Sequence, residues 1–145
     1  MIYVDTNVFV YAIENHPRYG ASCKKILEDV QEGRLEAACS VLVLVELINV
    51  LKRVNDILSR ERKPTLNLGA NIEAVMSLPV TWLDLNLLVI ERASSYSYDV
   101  GGIDYVHISS MELDSITEII SADRELDRVK NLTRVDPADY RTPNR

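Results

Sequence analysis

Met1-Ile2-Tyr3-Val4-Asp5-Thr6-Asn7 opens the chain, an apolar triplet that stops at an acid followed by two polar side chains. Far downstream, Ile119-Ile120-Ser121-Ala122-Asp123 repeats the arrangement. A short β-branched run that ends abruptly in polar groups reads as a buried strand with its carboxyl-end turn. Outward from these two stretches, short segments rich in Val, Ile and Leu alternate with longer helical patterns. That alternation points to an α/β domain: three layers, α/β/α and Rossmann-like, around a parallel sheet of about five strands. Strands are expected at Ile2–Val4, Leu35–Cys39, Val80–Leu83, Ile116–Ile120 and Leu132–Val135. Helices are expected over Val8–Glu14, Tyr19–Glu32, Val41–Leu58, Asn67–Leu78, Leu87–Tyr98 and Ile103–Leu113, with a short one at Arg124–Val129. His16-Pro17 divides the first two, because proline removes a donor and restricts its predecessor. Gly33 closes the second, and Ser40 is placed to cap the third. Val41–Leu58 is rich in β-branched residues, yet it is too long for a strand.

With 145 residues, 16 basic and 22 acidic, the chain carries a net charge of −6 and has the length of one domain. Its 47% apolar fraction fills a core without disulfides or a structural metal, which excludes intrinsic disorder. The unit is expected to span residues 1–141, with a loose tail from Thr142 to Arg145. The longest apolar run, Val41 to Val45, stops at Glu46, so no membrane-spanning helix is expected. No basic segment precedes Ile2–Val4, so the expected location is cytoplasmic. Cys23 and Cys39 lie apart without a CxxC pattern and read as reduced, packed thiols rather than zinc ligands. An acidic chain is a poor non-specific binder of nucleic acid, since phosphate affinity comes from Lys and Arg.

Four acids stand where solvated surface does not explain them. Asp5 and Asp123 follow the carboxyl ends of two strands, the place where open α/β sheets gather ligands. Glu46 interrupts Val41-Leu42-Val43-Leu44-Val45 and Leu47-Ile48, and a carboxylate among such neighbours is costly unless paired or bound to metal. Asp104 sits between Gly101-Gly102-Ile103 and Tyr105-Val106-His107, at a helix start. Taken singly, Asp5 and Asp123 read better as helix caps, Asp104 also reads as an N-cap, and Glu46 reads equally well as the partner of Arg53 two turns along the same helical stripe. If the two strands are neighbours, however, the four carboxylates converge. Like charges at 4 Å repel by roughly 1 kcal/mol in water and about 4 at an effective dielectric of 20, so such a cluster must protonate or hold cations. Oxygen ligands without His or Cys favour the hard ions Mg²⁺ or Mn²⁺ over zinc. Carboxylate-held divalent ions activate water and neutralise charge in phosphodiester cleavage.

Val4-Asp5-Thr6-Asn7, the helix from Ser40 to Glu46, Ile103-Asp104-Tyr105-Val106-His107 and Ser121-Ala122-Asp123-Arg124-Glu125-Leu126-Asp127 resemble, in order, the four motifs of PIN-domain ribonucleases of the VapC-like toxin type. The resemblance covers nearly the whole chain. It implies that Asp5, Glu46, Asp104 and Asp123 form an acidic metal site for Mg²⁺ or Mn²⁺, with Thr6 or Asn7 orienting Asp5 or the attacking water. It further implies endonucleolytic cleavage of RNA, homodimerisation and a cognate antitoxin that covers the site. Asp127 is an auxiliary metal-ligand candidate that also reads as solvent-facing. His107 reads as a packed or supporting residue rather than a base, and Asp99 as a loop acid. Asn55 to Leu68 is expected to form a charged helical hairpin that contacts partners.

Two clusters of basic residues answer the acidic net charge, Lys52, Arg53, Arg60, Arg62 and Lys63, and then Arg124, Arg128, Lys130 and Arg134, which can position phosphates. Aromatic residues that would stack bases are sparse. The leading expectation is a metal-dependent endoribonuclease that leaves a 5′-phosphate and a 3′-hydroxyl. The alternative is a catalytically inactive PIN-like module that binds RNA or protein. A phosphoacceptor receiver domain shares the layout but wants adjacent acids after the first strand, where Thr6-Asn7 stands.

Overall fold

A computed structural model describes residues 1–144, so Arg145 of the expected tail lies outside the described residues. Five strands form one parallel sheet: β1 (Ile2–Val4), β2 (Ala37–Ser40), β3 (Thr81–Leu83), β4 (Glu118–Ile120) and β5 (Thr133–Val135). Six helices connect them: α1 (Thr6–Ile13), α2 (Gly20–Gln31), α3 (Leu42–Arg60), α4 (Leu68–Met76), α5 (Leu87–Ala93) and α6 (Gly102–Leu113). A 3₁₀ turn over Arg124–Arg128 joins β4 to β5. The strand order is β3-β2-β1-β4-β5, so the winding reverses between β1 and β4.

Alternation along each strand sorts the core into two layers, because successive side chains point to opposite faces. Val4, Ala37, Cys39 and Ile120 face Phe9 of α1, Ile26 of α2 and Leu47 and Leu51 of α3. Tyr3, Ala38, Leu83 and Ile119 face Met111 of α6 and Leu126 of the 3₁₀ turn. Both faces are therefore covered, as a parallel sheet requires, and the architecture is the expected three-layer α/β/α sandwich. Among the described residues, no helix is long and apolar enough to cross a membrane. Cys23 and Cys39 are free and buried, and burial pushes the Cys23 thiol up to about 12.

Where boundaries depart from expectation, hydrogen bonds supply the reason. α1 begins two residues earlier than expected because Asp5 caps it, accepting from Thr6 N. β2 runs to Ser40 rather than starting at Leu35, whose N–H is taken by Asp29 O. Ser40 thereby belongs to the strand and Val41, not Ser40, is the N-cap of α3, although Ser40 Oγ accepts from Leu42 N at 3.1 Å. α5 ends at Ala93 instead of Tyr98, since Ser94 and Ser95 turn their hydroxyls back onto the carbonyls of Glu91 and Arg92. Near the end of α3, Asn55 exchanges two hydrogen bonds with the backbone of Leu66, at 2.9 and 2.8 Å, so the stretch expected as a helical hairpin, residues 55–68, is the last turns of α3 and a non-helical connection that brings α4 back against α3. Thr142, expected in a loose tail, donates to Asp29 Oδ2 at 2.6 Å, and Tyr140 donates to the same oxygen at 2.8 Å.

Candidate active site

Register places the first carboxylate. Val4 pairs with Ile120 across β1 and β4, so the next residues, Asp5 and Ser121, stand side by side at the carboxyl edge where the winding reverses. Asp5, 8% exposed, accepts from Ser121 Oγ at 2.6 Å, from Thr6 N at 2.8 Å and from Asn7 Nδ2 at 3.3 Å. Asn7 also donates to Ser121 Oγ and accepts from Ala122 N, tying α1 to the loop after β4. Asn7 thus touches both Asp5 and its neighbour Ser121. Thr6 does something else: its hydroxyl donates to Glu46 Oε1 at 2.9 Å, bridging α1 to α3.

Glu46 pairs with His107, not with Arg53. His107, only 3% exposed, meets Glu46 Oε1 through Nε2 and Tyr3 OH through Nδ1 at 2.6 Å. Tyr3 OH in turn accepts from Ser40 N at 3.0 Å. A buried chain therefore runs from the end of β2 through β1 and α6 to Glu46. Because Thr6 and His107 both use Oε1, Glu46 Oε2 has no protein partner among the described residues. Burial raises the Glu46 pKa, but the hydrogen bond and charge of His107, with Thr6, outweigh it and hold the carboxyl below its ordinary value. Burial would lower the His107 pKa, and the Glu46 hydrogen bond with the charges of Asp5, Glu46 and Asp104 turns the shift upward.

Asp104 lies in the first turn of α6 and is not its cap, which is Gly101. Burial and then the charges of Asp5 and Asp123 push it up to about 6. Asp123 caps the 3₁₀ turn, accepting from Glu125 N at 3.0 Å. Asp5, Glu46, Asp104 and Asp123 line one cleft of about 330 Å³, together with Thr6, Asn7, Val10, Tyr11 and Val50. Larger hollows lie elsewhere, one of about 410 Å³ beside Met1, Arg34 and Tyr140 and one of about 520 Å³ between α3 and α4. Charge, not size, distinguishes the acidic cleft.

Asp127 is not brought to this cleft. Arg134 takes both of its oxygens at 2.9 and 3.1 Å, and that pairing, ahead of burial, pulls its pKa down. Asp99 is an exposed loop acid beside Arg128. Ser121 and Tyr3 were not singled out from the sequence. Ser121 carried a usable signal, since it follows β4 at the position Asp5 holds after β1. Tyr3 carried none, because its role depends on a histidine 104 positions away.

The donor set fits a hard divalent cation. Its groups are carboxylate, hydroxyl and amide oxygens, and Asp104 is raised by burial and then by the charges of Asp5 and Asp123, which His107 offsets only in part. Among the described residues, no group of three or more His, Cys, Asp or Glu side chains is positioned to hold a metal ion as it stands. Mg²⁺ does not require one, since it keeps several waters and is held by one or two carboxylates and substrate phosphates.

In an α/β/α fold of this kind ligands gather in the crevice at the switch point of the sheet, and here acids line that crevice. Residues 2–132 match the PIN domain, and the chain belongs to the PIN-domain family, a family of nucleases. Solved structures of similar fold include a toxin-antitoxin complex from Klebsiella pneumoniae, at 15% identity and TM-score 0.63 over 94% of this chain and 98% of that one. VapBC2 from Rickettsia felis, bound to a DNA fragment from its promoter, is similar at 20% identity and TM-score 0.66, over 93% and 98% of the two chains. VapBC-1 from nontypeable Haemophilus influenzae is similar at 19% identity and TM-score 0.62, over 94% and 98%. No sequence among curated proteins matches the chain significantly.

Proposed function

We propose that this protein is a Mg²⁺- or Mn²⁺-dependent endoribonuclease and the cytoplasmic toxin of a toxin–antitoxin pair. The observation that carries the nuclease reading is that Asp5, Glu46, Asp104 and Asp123, from four separate segments, line one cleft at the switch point. Asp5, Glu46, Asp104 and Asp123 would hold the ion. When bound, the ion supplies positive charge that acidifies water and neutralises the phosphodiester. The chain's own groups set the geometry. Ser121 and Asn7 fix Asp5, while Thr6 and His107 occupy Oε1 of Glu46 and leave Oε2 for the cleft. The toxin reading rests on the likeness of fold to the toxin–antitoxin complexes. Exposed Val45 and Ile48 of α3 and Met76 of α4 offer apolar surface for a second copy or an antitoxin.

The test is cleavage of single-stranded RNA with Mg²⁺, Mn²⁺ or chelator. Cleavage is expected only with the ions, leaving 5′-phosphates, and to fall at least about a hundredfold in Asp5→Asn. Persistence in chelator, or undiminished activity in that variant, refutes the reading.

The His107 arm predicts a further result. His107→Ala is expected to weaken Mn²⁺ binding by about 10- to 100-fold, the usual cost of removing a partner that orients a ligand. His107→Gln keeps an N–H for Glu46 and should recover much of the loss. Calorimetric titration reads both, and equal affinity in wild type and alanine variant would show that Glu46 needs no such support.

A further inference from the structure

Three residues of the acidic cleft have no part in holding the carboxylates: Val10, Tyr11 and Val50. Val10 and Tyr11 follow Asn7 by one turn of α1, and Val50 follows Glu46 by one turn of α3, so they extend the cleft along two facing helices. Tyr11 is half-buried, and its hydroxyl makes no hydrogen bond among the described residues. Its ring is braced by two neighbours. Tyr19 stacks on it with centroids 5.4 Å apart and planes 11° apart, and His16 lies 4.4 Å away. His16 and Tyr19 are themselves 5.4 Å apart, whereas a Tyr11 ring sandwiched between them would hold them almost twice as far from each other. Tyr11 is therefore not sandwiched between them, and the three rings form one triangular cluster. His16 is locked in turn, its Nδ1 accepting from the backbone N–H of Arg18 and Tyr19 at 3.1 Å each, and the Arg18 guanidinium covers Tyr19 at 5.1 Å.

We propose that Tyr11, flanked by Val10 and Val50, is a nucleobase subsite: the base next to the scissile phosphate of a single-stranded RNA stacks on the braced ring. The inference rests on the nuclease reading above and adds how the substrate is held. A cleft lined by four carboxylates repels a polyanion, so contacts that do not depend on charge add affinity there. Stacking supplies one, since every base has a π-face, and a ring already fixed by His16 and Tyr19 loses little freedom on binding. Arg53, exposed one step beyond Val50 on the same face of α3, is placed for the next phosphate.

The test uses short oligoribonucleotides that carry 2-aminopurine at one position, stepped along the strand, and matching strands with an abasic residue there. Binding is read in EDTA at low salt, where hydrolysis stops. At one position, wild type and Tyr11→Phe are expected to quench the fluorophore, and the abasic strand to bind wild type about tenfold more weakly. Tyr11→Leu, which keeps apolar volume without a π-face, should lose both effects. Equal quenching in the leucine variant, equal affinity for the abasic strand, or no strand binding by wild type overturns the subsite. The abasic comparison needs no variant, so it decides even if Tyr11→Leu fails to fold. Cleavage by wild type with Mg²⁺ is scored separately. Cleavage without stacking removes only the subsite, and stacking without cleavage at any divalent ion removes the nuclease reading and leaves the base-binding surface.

Discussion

Asp104→Asn will raise the melting temperature of the metal-free protein at pH 7.5 while lowering RNA cleavage at least about a hundredfold. Asp104 is pushed from 3.8 to about 6, by burial first and then by Asp5 and Asp123. Its folded pKa lies above its unfolded one, so the folded state holds the proton more tightly. Whatever stability this gives is complete below about pH 4 and is lost as pH rises through about 6. At pH 7.5 the ionised group therefore works against the fold. Two pK units correspond to nearly 3 kcal/mol when fully felt, but solvent reaches this side chain, and about 1 kcal/mol is the discounted figure. For a chain of this length that is a gain of about 3 °C. Thermal melts of both proteins in EDTA across pH 4 to 8 check it. The wild type should lose stability between about pH 4 and 6 relative to the variant, and parallel profiles would show that Asp104 is not crowded.

The largest expected loss of stability lies away from the cleft. Asp29, 0% exposed, accepts from Lys25 Nζ, Arg34 Nε, Tyr140 OH and Thr142 Oγ1, all between 2.6 and 2.8 Å. Burial alone would raise its pKa, but the bonds from Lys25, Thr142, Arg34 and Tyr140 carry it well below the carboxylate range. Asp29→Ala strands these donors together, and breaking a buried, bonded charge costs about 3 kcal/mol. The expected fall in melting temperature is about 10 °C, with the chain beyond Pro137 released to proteases. The sign of the pH effect is opposite to that of Asp104. A folded pKa below the unfolded value gives stability that is present above about pH 4 and disappears as pH falls. Urea denaturation at pH 7 and 3.5 measures both effects. A variant within about 0.5 kcal/mol of wild type at pH 7 would mean that the clasp contributes nothing.

Period and punctuation in the sequence were enough to place all five strands and six helices, because parallel strands buried on both faces are short apolar runs and the intervening helices are long. The ends were harder, since they depend on single hydrogen bonds: the cap from Asp5, the hydroxyls of Ser94 and Ser95, the grip of Asp29 on Leu35. The four acids could be singled out because each sits among apolar neighbours or at a strand end. Asp127 looked similar and is not in the cleft, for Arg134, seven residues on, takes its carboxylate. Nothing in the order of residues pairs Tyr3 with His107 or Asp29 with Thr142. Those contacts join segments more than a hundred positions apart, and only the folded arrangement of strands and helices reveals them.

The most direct measurement is calorimetric titration of Mn²⁺ into the full chain at pH 7.5, beside an Asp5→Asn, Asp104→Asn double variant checked for folding by circular dichroism. Saturable binding by the wild type, lost or weakened at least about a hundredfold in the variant, is the predicted result. A wild type that takes up no ion, or a variant that binds as tightly, would contradict the assignment of the four carboxylates to a metal-dependent nuclease site.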